Sequence, residues 1–160
     1  MPTTRYFVIF VVSLFCIALE LFLTRILNLK AWNHVVYIVI PFSILGYGIG
    51  ANLFLIFKKK FEHVKEDHVL AAAMMTLAAT CVISTMSIIY MPVYVDYLLT
   101  LFQGVRSILM LLACYTMFMV PFIFVGFIVV YLFSRHTAGA SKLYFFDLIG
   151  AGLGAFLFFP

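Results

Sequence analysis

Five long apolar runs separated by short polar segments are the feature that most limits how this chain can fold. They cover residues 6–28, 33–57, 69–91, 107–133 and 143–160. About 20 apolar residues in an α-helix suffice to cross a lipid bilayer. Only 10% of the residues are charged, whereas soluble domains have about 25%. The sequence therefore predicts an all-α, multi-spanning bundle that forms one transmembrane domain over residues 1–160, and it excludes a water-soluble fold.

Basic residues indicate how the bundle is oriented in the membrane, because cytoplasmic segments are enriched in Lys and Arg. On one side of the membrane the only basic residues are Lys30 and Arg106, if Arg25 near the end of the first span is left out. The basic residues on the other side are Arg5, Lys58, Lys59, Lys60, Lys65, Arg135 and Lys142. We therefore expect the N-terminus in the cytoplasm. The same arrangement accounts for the net charge of +4 without a nucleic-acid partner.

Two charged residues, Glu20 and Arg25, lie inside the first span. A charge within a span costs about 3 kcal/mol on insertion scales, so it seldom faces lipid. The two are about 140° apart around a helix and do not pair well with each other. Thr24 shares a face with Glu20 and is a candidate hydrogen-bond donor to it, whereas Arg25 is placed to extend to the outer interface. Glu20 is either anchored by another helix or binds a proton or a cation.

Other residues give few signs of chemistry. Asp147, near the cytoplasmic start of the fifth span, either caps that helix or binds a cationic ligand. The cysteines lie within apolar runs without metal-ligand spacing, and the histidines lie at span ends or in loops at depths that do not suit haem. No nucleophile–base pair or metal motif is present, so we expect no catalytic residues, metal or cofactor in these 160 residues.

Two glycine clusters, Leu45–Ala51 and Ile149–Ala155, lie in the second and fifth spans. Glycines four residues apart on a helix let a second backbone approach closely. The six glycines predicted to pack between helices are Gly46, Gly48, Gly50, Gly150, Gly152 and Gly154. An inverted repeat of three helices would relate these two spans, so the fold is a candidate half of a transporter-like protein. The first cluster also looks like a dinucleotide-binding loop, but it lies inside a span without the required strand.

Several local features leave alternatives open. The segment 58–68 is either a solvated turn that extends the helices or a lipid-headgroup site. The segment 92–106 is either an interfacial helix or a loop over the bundle. Pro121 is expected to kink the fourth span. The fifth run is short for a complete crossing, so we expect the chain to be an N-terminal fragment that continues past Pro160.

Three stretches of the sequence are considered together: residues 20–25 (Glu-Leu-Phe-Leu-Thr-Arg), residues 45–51 and residues 144–154. Together they resemble the N-terminal membrane region of bacterial spermidine synthase-like membrane proteins. The resemblance implies a major-facilitator-like helical region in the inner membrane, followed by a soluble aminopropyltransferase-like domain. It also implies an amine or other cationic ligand for Glu20 and Asp147. The candidate ligand-binding residues are therefore Glu20, Asp147 and Arg25. That soluble domain is absent from these residues, so its catalytic residues cannot be assigned.

A second interpretation requires no ligand. The short chain and its glycine-rich faces are also typical of a small structural or accessory subunit of a larger membrane complex. Its partners would then be the lipid bilayer and the helices of other subunits.

Overall fold

A computed structural model describes residues 3–30, 37–90 and 105–158 of the chain. They form five long helices: α1 (Thr3–Lys30), α2 (Val39–Glu62), α3 (Glu66–Tyr90), α4 (Val105–Arg135) and α5 (Ala140–Leu157). A short 3₁₀ turn, Thr137–Gly139, precedes α5. All five helices are long and apolar enough to cross a membrane. The predicted all-α bundle is confirmed, and the protein is a multi-pass membrane protein.

The helices extend further than the apolar runs at one end of the bundle. α2 continues through three lysines to Glu62, and α3 begins only four residues later at Glu66. Lys and Glu are good helix formers, and Glu66 and Asp67 in the first turn of α3 suit the positive end of its dipole. Most of the segment 58–68 is therefore helical. The predicted interfacial segment 92–106 lies outside the described residues except for its last two positions, which begin α4.

The helices pack chiefly in two pairs, α1 with α5 and α2 with α4, and α3 packs on α4. At one end of the bundle Glu66 contacts both Arg5 and His136 at 2.9 Å. The starts of α1 and α3 and the end of α4 therefore meet at the same end, as alternating spans require. α4 is one continuous helix through Pro121.

The largest fully buried side chains come mainly from α4 and its neighbours, and they include Tyr131, Phe54, Phe118 and Phe122. Lipid tails are as apolar as the helix surfaces, so moving an apolar side chain from lipid to a helix interface gains little. Close van der Waals contact is therefore what holds the helices together. The outward faces of α5 carry exposed Phe145, Leu148 and Phe156, which suit contact with lipid tails.

The α2–α4 pair is held by a regular series of contacts. Aromatic rings meet near each end of the series, with centroids 5.1 Å apart for Phe42–Tyr115 and 5.6 Å apart for Phe54–Tyr131. Between them, Gly46 lies against Met119 and Gly50 against Ile123. The residue numbers rise together along both helices, so α2 and α4 run parallel.

The α5–α1 pair repeats this series in the same register. The corresponding contacts are Phe146–Tyr6, Gly150–Phe10, Gly154–Leu14 and Phe158–Phe22. Each α5 residue follows its α2 counterpart by 104 positions, and each α1 residue precedes its α4 counterpart by 109. Seven of the 18 residues in 39–56 are identical to their counterparts in 143–160. In this register α1 corresponds to α4 and α2 corresponds to α5. Because corresponding helices run in opposite directions, the two pairs have the relation found between the halves of an inverted repeat.

Candidate site of two intramembrane carboxylates

Polar side chains form a strip along one face of α1. Ser13, Cys16 and Glu20 are spaced by three and four residues, which places them on the same side of the helix. Ser43 and Tyr47 of α2 and Asp147 of α5 face this strip. We refer to these six residues as the carboxylate site. It lies where α1, α2 and α5 meet.

Glu20 is anchored by a residue of another helix. The hydroxyl of Ser43 donates a hydrogen bond to Glu20 Oε1 at 2.9 Å, and it also lies 2.8 Å from the Ile40 carbonyl oxygen. Ser43 is buried, and Glu20 is partly buried. The predicted bond from Thr24 is wrong, because that hydroxyl donates to the Leu21 carbonyl of its own helix at 2.8 Å.

Asp147 accepts a hydrogen bond from the hydroxyl of Ser13. The capping interpretation of Asp147 is wrong, because α5 begins at Ala140 and its N-cap residue is Gly139. Asp147 is therefore two turns inside the helix. In the repeat it occupies the position of Ser43, so both equivalent positions direct a polar side chain towards α1.

The two carboxylates share one polar region. The Cys16 thiol is within electrostatic range of both Glu20 and Asp147, and the Tyr47 hydroxyl is within range of Asp147. Ser13, beside Asp147, is two turns before Glu20, so the carboxylates are offset by about 10 Å along α1. A linear ligand along this face of α1 would contact both of them.

Neither carboxylate of the site has a cationic partner within residues 3–30, 37–90 and 105–158, where the ion pairs found involve Glu66. A charge inside a span costs about 3 kcal/mol. One hydrogen bond to a charged group returns about 1.5–3 kcal/mol. A single neutral serine therefore offsets between about half and all of the cost of each charge, whereas a bound proton or cation would neutralise the charge itself.

Arg25 is not brought into the carboxylate site. Its guanidinium is exposed and donates from Nη2 to the carbonyl oxygen of Phe158 at 2.7 Å. Phe158 immediately follows α5, where helix carbonyls lack partners within the helix. Arg25 thus satisfies the end of α5, a contact that joins residues 133 positions apart in the sequence.

Four of the six predicted glycines lie at close helix contacts. A Cβ on Gly46 would be 2.6 Å from the Met119 carbonyl oxygen, and one on Gly50 would overlap the Ile123 carbonyl oxygen. Gly150 and Gly154 would overlap the carbonyl oxygens of Phe10 and Leu14 in the same way.

The other two glycines of the clusters, Gly48 and Gly152, do not share in these contacts. Each is two residues, or about 200°, around the helix from the packed face. A Cβ on either would meet no atom of the described part of the chain within 4 Å.

Sequence reasoning did not single out Ser13, Ser43, Tyr47 or the packing role of Gly126. Ser13 had a local signal, since it lies two turns before Glu20 on the same face. Ser43 and Tyr47 had none, because their roles depend on α2 lying beside α1. Gly126 of α4 lies against the backbone of Tyr47, where a Cβ would overlap the carbonyl oxygen.

Searches for similar proteins give no further guide to this site. The chain matches no protein-family model, no curated protein and no solved structure. Within the described residues, no group of three or more His, Cys, Asp or Glu side chains is arranged to hold a metal ion. The chemistry that these residues offer is therefore that of two carboxylates with hydroxyl partners.

Proposed function

We propose that this chain is the membrane-embedded domain of a transporter-like protein, in which Glu20 and Asp147 bind a small cationic ligand such as an amine. The observation that carries the proposal is the pair of carboxylates within the spans, each hydrogen-bonded to a neutral serine. An acidic residue in a span is a functional candidate by default, because its burial is costly. A cationic ligand would neutralise both groups.

The inverted register of the helix pairs supports this proposal. Transporters built from inverted repeats hold their substrate where the two repeats meet. Glu20 and Ser13 belong to α1, in the first repeat, whereas Asp147 belongs to α5, in the second. The glycine faces of α2 and α5 bring these helices into backbone contact with α4 and α1, and we propose that one helix of each pair moves along the other at these faces.

The resemblance to spermidine synthase-like membrane proteins narrows the proposed ligand to an amine. On the same basis we propose the bacterial inner membrane as the location. Transferase activity would require a soluble domain in addition to these residues.

Ligand-dependent stabilisation of the purified full chain in detergent tests the proposal, with putrescine as the probe. A ligand at ten times its Kd stabilises the folded state by about 1.4 kcal/mol, which raises the melting temperature by about 3–6 °C for a chain of this size. We expect Glu20→Gln and Asp147→Asn each to abolish the increase. Asp67→Asn, which changes an exposed carboxylate at the start of α3, should retain it.

The proposal fails if the two site variants respond to putrescine as the unaltered chain does. It also fails if putrescine stabilises none of the proteins and a series of other monovalent and divalent amines gives the same result. Potassium chloride at matched ionic strength controls for general effects of added cations.

A structural or accessory subunit is the second candidate. The exposed apolar faces of α5, with Phe145 59% and Phe156 77% accessible, would suit the helices of a partner as well as lipid. Purification under mild conditions distinguishes the two candidates. A subunit would be recovered with the same partners in fixed stoichiometry and would show no stabilisation by amines.

A further inference from the structure

Three side chains from distant parts of the sequence meet at the end of the bundle where the basic segments lie. Arg5 Nε and His136 Nε2 are both 2.9 Å from Glu66 Oε1, and Arg5 Nη1 is 3.5 Å from His136 Nδ1. We call these three residues the Glu66 cluster. It joins the starts of α1 and α3 to the turn that follows α4.

The two contacts of the His136 ring assign its protonation state. A guanidinium nitrogen can only donate hydrogen bonds, so Nδ1, which faces Arg5, is the acceptor and carries no proton. The carboxylate of Glu66, which pairs with Arg5, can only accept, so Nε2 carries the ring proton and donates it to Oε1. The hydrogen-bond partners therefore assign a neutral imidazole protonated on Nε2.

A proton added to Nδ1 would reverse one contact of the ring. Two donors and two positive charges would then face each other where His136 now accepts from Arg5. Coulomb energies vary as the inverse of distance. The repulsion between Arg5 and the imidazolium at 3.5 Å would therefore cancel most of the attraction between Arg5 and Glu66 at 2.9 Å. The imidazolium itself would attract Glu66 at the shorter of these distances.

Burial and backbone contacts determine which side chain would leave the cluster. The side chain of Arg5 is 36% accessible, compared with 16% for Glu66 and 23% for His136. The backbone of His136 is also held in place, because its N–H donates to the Leu132 carbonyl at 3.1 Å and its carbonyl accepts from the Gly139 N–H at 3.0 Å. Arg5 is therefore the group that water can take up at least cost.

Other elements also present polar groups to the cluster. A cavity of about 240 Å³ beside it is lined in part by Tyr6 of α1, Arg135 of α4 and the apolar Leu143 of α5. Tyr131 of α4 lies within electrostatic range of Glu66. Among these residue types, histidine is the one that ordinarily changes charge between about pH 5 and 8. A response of the cluster in that range would therefore come from the imidazole.

We propose that the Glu66 cluster is a pH-sensitive switch between the start of α1 and the turn that joins α4 to α5. While His136 is neutral, Arg5 bonds to both His136 and Glu66 and holds α1 against the turn. When His136 is protonated, Arg5 leaves, Glu66 stays with His136, and the adjoining cavity widens beside the first turn of α1.

The position of the switch gives it a role at the carboxylate site. Arg5 precedes Ser13 by eight residues, or about 12 Å along α1, so the cluster lies beyond the end of the polar strip where Ser13 meets Asp147. Widening at this end would admit water and cations towards that strip. This role rests on the proposed function, whereas the pH response of the cluster is tested without any amine.

The test measures the distance between spin labels on the full chain in detergent by pulsed electron paramagnetic resonance. The labels are attached at Thr3→Cys on α1 and Ser141→Cys on α5, both exposed positions, after the native cysteines have been replaced by alanine. Spectra are compared at about pH 8 and about pH 5.5, which lie on either side of the range in which an imidazole ordinarily titrates. We expect a longer distance component to appear at the lower pH.

His136→Gln removes the titration and keeps the contacts. A glutamine amide can donate to Glu66 and accept from Arg5, as the neutral ring does, so this variant should show the short distance at both pH values. His68→Gln is the matched control, because His68 is an exposed histidine on the first turn of α3. It should respond to pH as the parent chain does.

Glu66→Gln provides a second variant with the opposite expectation. Without the carboxylate Arg5 has lost its ion pair, so the longer component should be present at both pH values. The proposal is overturned if the parent chain gives the same distances at both pH values, or if His136→Gln lengthens as the parent does. It is also overturned if Glu66→Gln keeps the short distance throughout.

Nitrogen nuclear magnetic resonance of the histidine-labelled chain tests the protonation assignment independently. The His136 signal is the one that His136→Gln removes. At about pH 8 we expect a neutral ring protonated on Nε2, and at about pH 5.5 a ring protonated on both nitrogens. A neutral ring protonated on Nδ1 at the higher pH would contradict the assignment and overturn the switch.

Discussion

Replacing Gly50 by alanine tests the tightest of the glycine contacts between helices in the described part of the chain. A Cβ at Gly50 would overlap the Ile123 carbonyl oxygen and lie 2.9 Å from the Phe127 nitrogen, whereas ordinary contacts begin at 3.4 Å. The obstructing atoms are backbone, so rotation of a side chain cannot relieve the overlap. α2 and α4 must therefore move apart, and the contacts on either side of Gly50 are weakened with them.

The expected magnitude follows from two opposing effects. Overpacking a close contact costs about 1–3 kcal/mol, whereas alanine in place of glycine in a helix gains up to about 1 kcal/mol. Gly48→Ala is the matched control, because it has the same gain in helix propensity and open space around the new methyl group. The difference between the two variants isolates the packing cost, which we put at about 2 kcal/mol.

Thermal unfolding of the two variants in the same detergent measures this difference. For a chain of this size about 2 kcal/mol corresponds to about 4–8 °C in melting temperature. The repeat adds a second, independent comparison, since Gly154→Ala should fall below Gly152→Ala by a similar amount. If Gly50→Ala and Gly48→Ala melt at the same temperature, α2 and α4 are not in the contact described above.

Two further predictions concern polar contacts between helices. Ser84 is buried and donates to the Met117 carbonyl oxygen of α4 at 2.8 Å, so Ser84→Ala should lower the free energy of unfolding by about 1 kcal/mol. Ser87→Ala, which loses only a bond within α3, should change it by less than half as much, and equal effects would refute an α3–α4 bond. Glu66→Gln should lower stability by about 1 kcal/mol in low salt by weakening the contacts with Arg5 and His136. The loss of stability should shrink in about 0.5 M salt, where the Debye length falls to a few ångströms. A loss independent of salt would contradict an electrostatic contact.

Much of the fold could be predicted because the bilayer imposes simple local requirements. A span needs about 20 apolar residues and internally satisfied backbone groups, and both can be judged from a continuous stretch of sequence. The five helices follow from this requirement alone. The ends were less predictable, since helix formation continues beyond the apolar residues wherever the sequence favours it, as it does through Lys58 to Glu62.

The glycine clusters show what the spacing of residues along a helix can predict and what it cannot. The four-residue interval places Gly46 and Gly50 on one face, and the same interval predicts a shared face for Gly150 and Gly154. Spacing alone does not indicate which helix each face meets. The exact repetition of the register along α2–α4 and α5–α1 became visible only when the contacts of all four helices were compared.

The amino-acid sequence by itself determined that residues 3–30, 37–90 and 105–158 contain five helices long and apolar enough to cross a membrane, and that Glu20 and Asp147 lie within two of them. Only the tertiary structure decided that Glu20 meets Ser43 rather than Thr24, and that Asp147 meets Ser13 rather than the start of its own helix. The physical reason is that apolarity and helix propensity are properties of a local stretch. The partner of a buried polar side chain depends instead on which helices pack together, and Ser13 and Asp147 are 134 positions apart in the sequence.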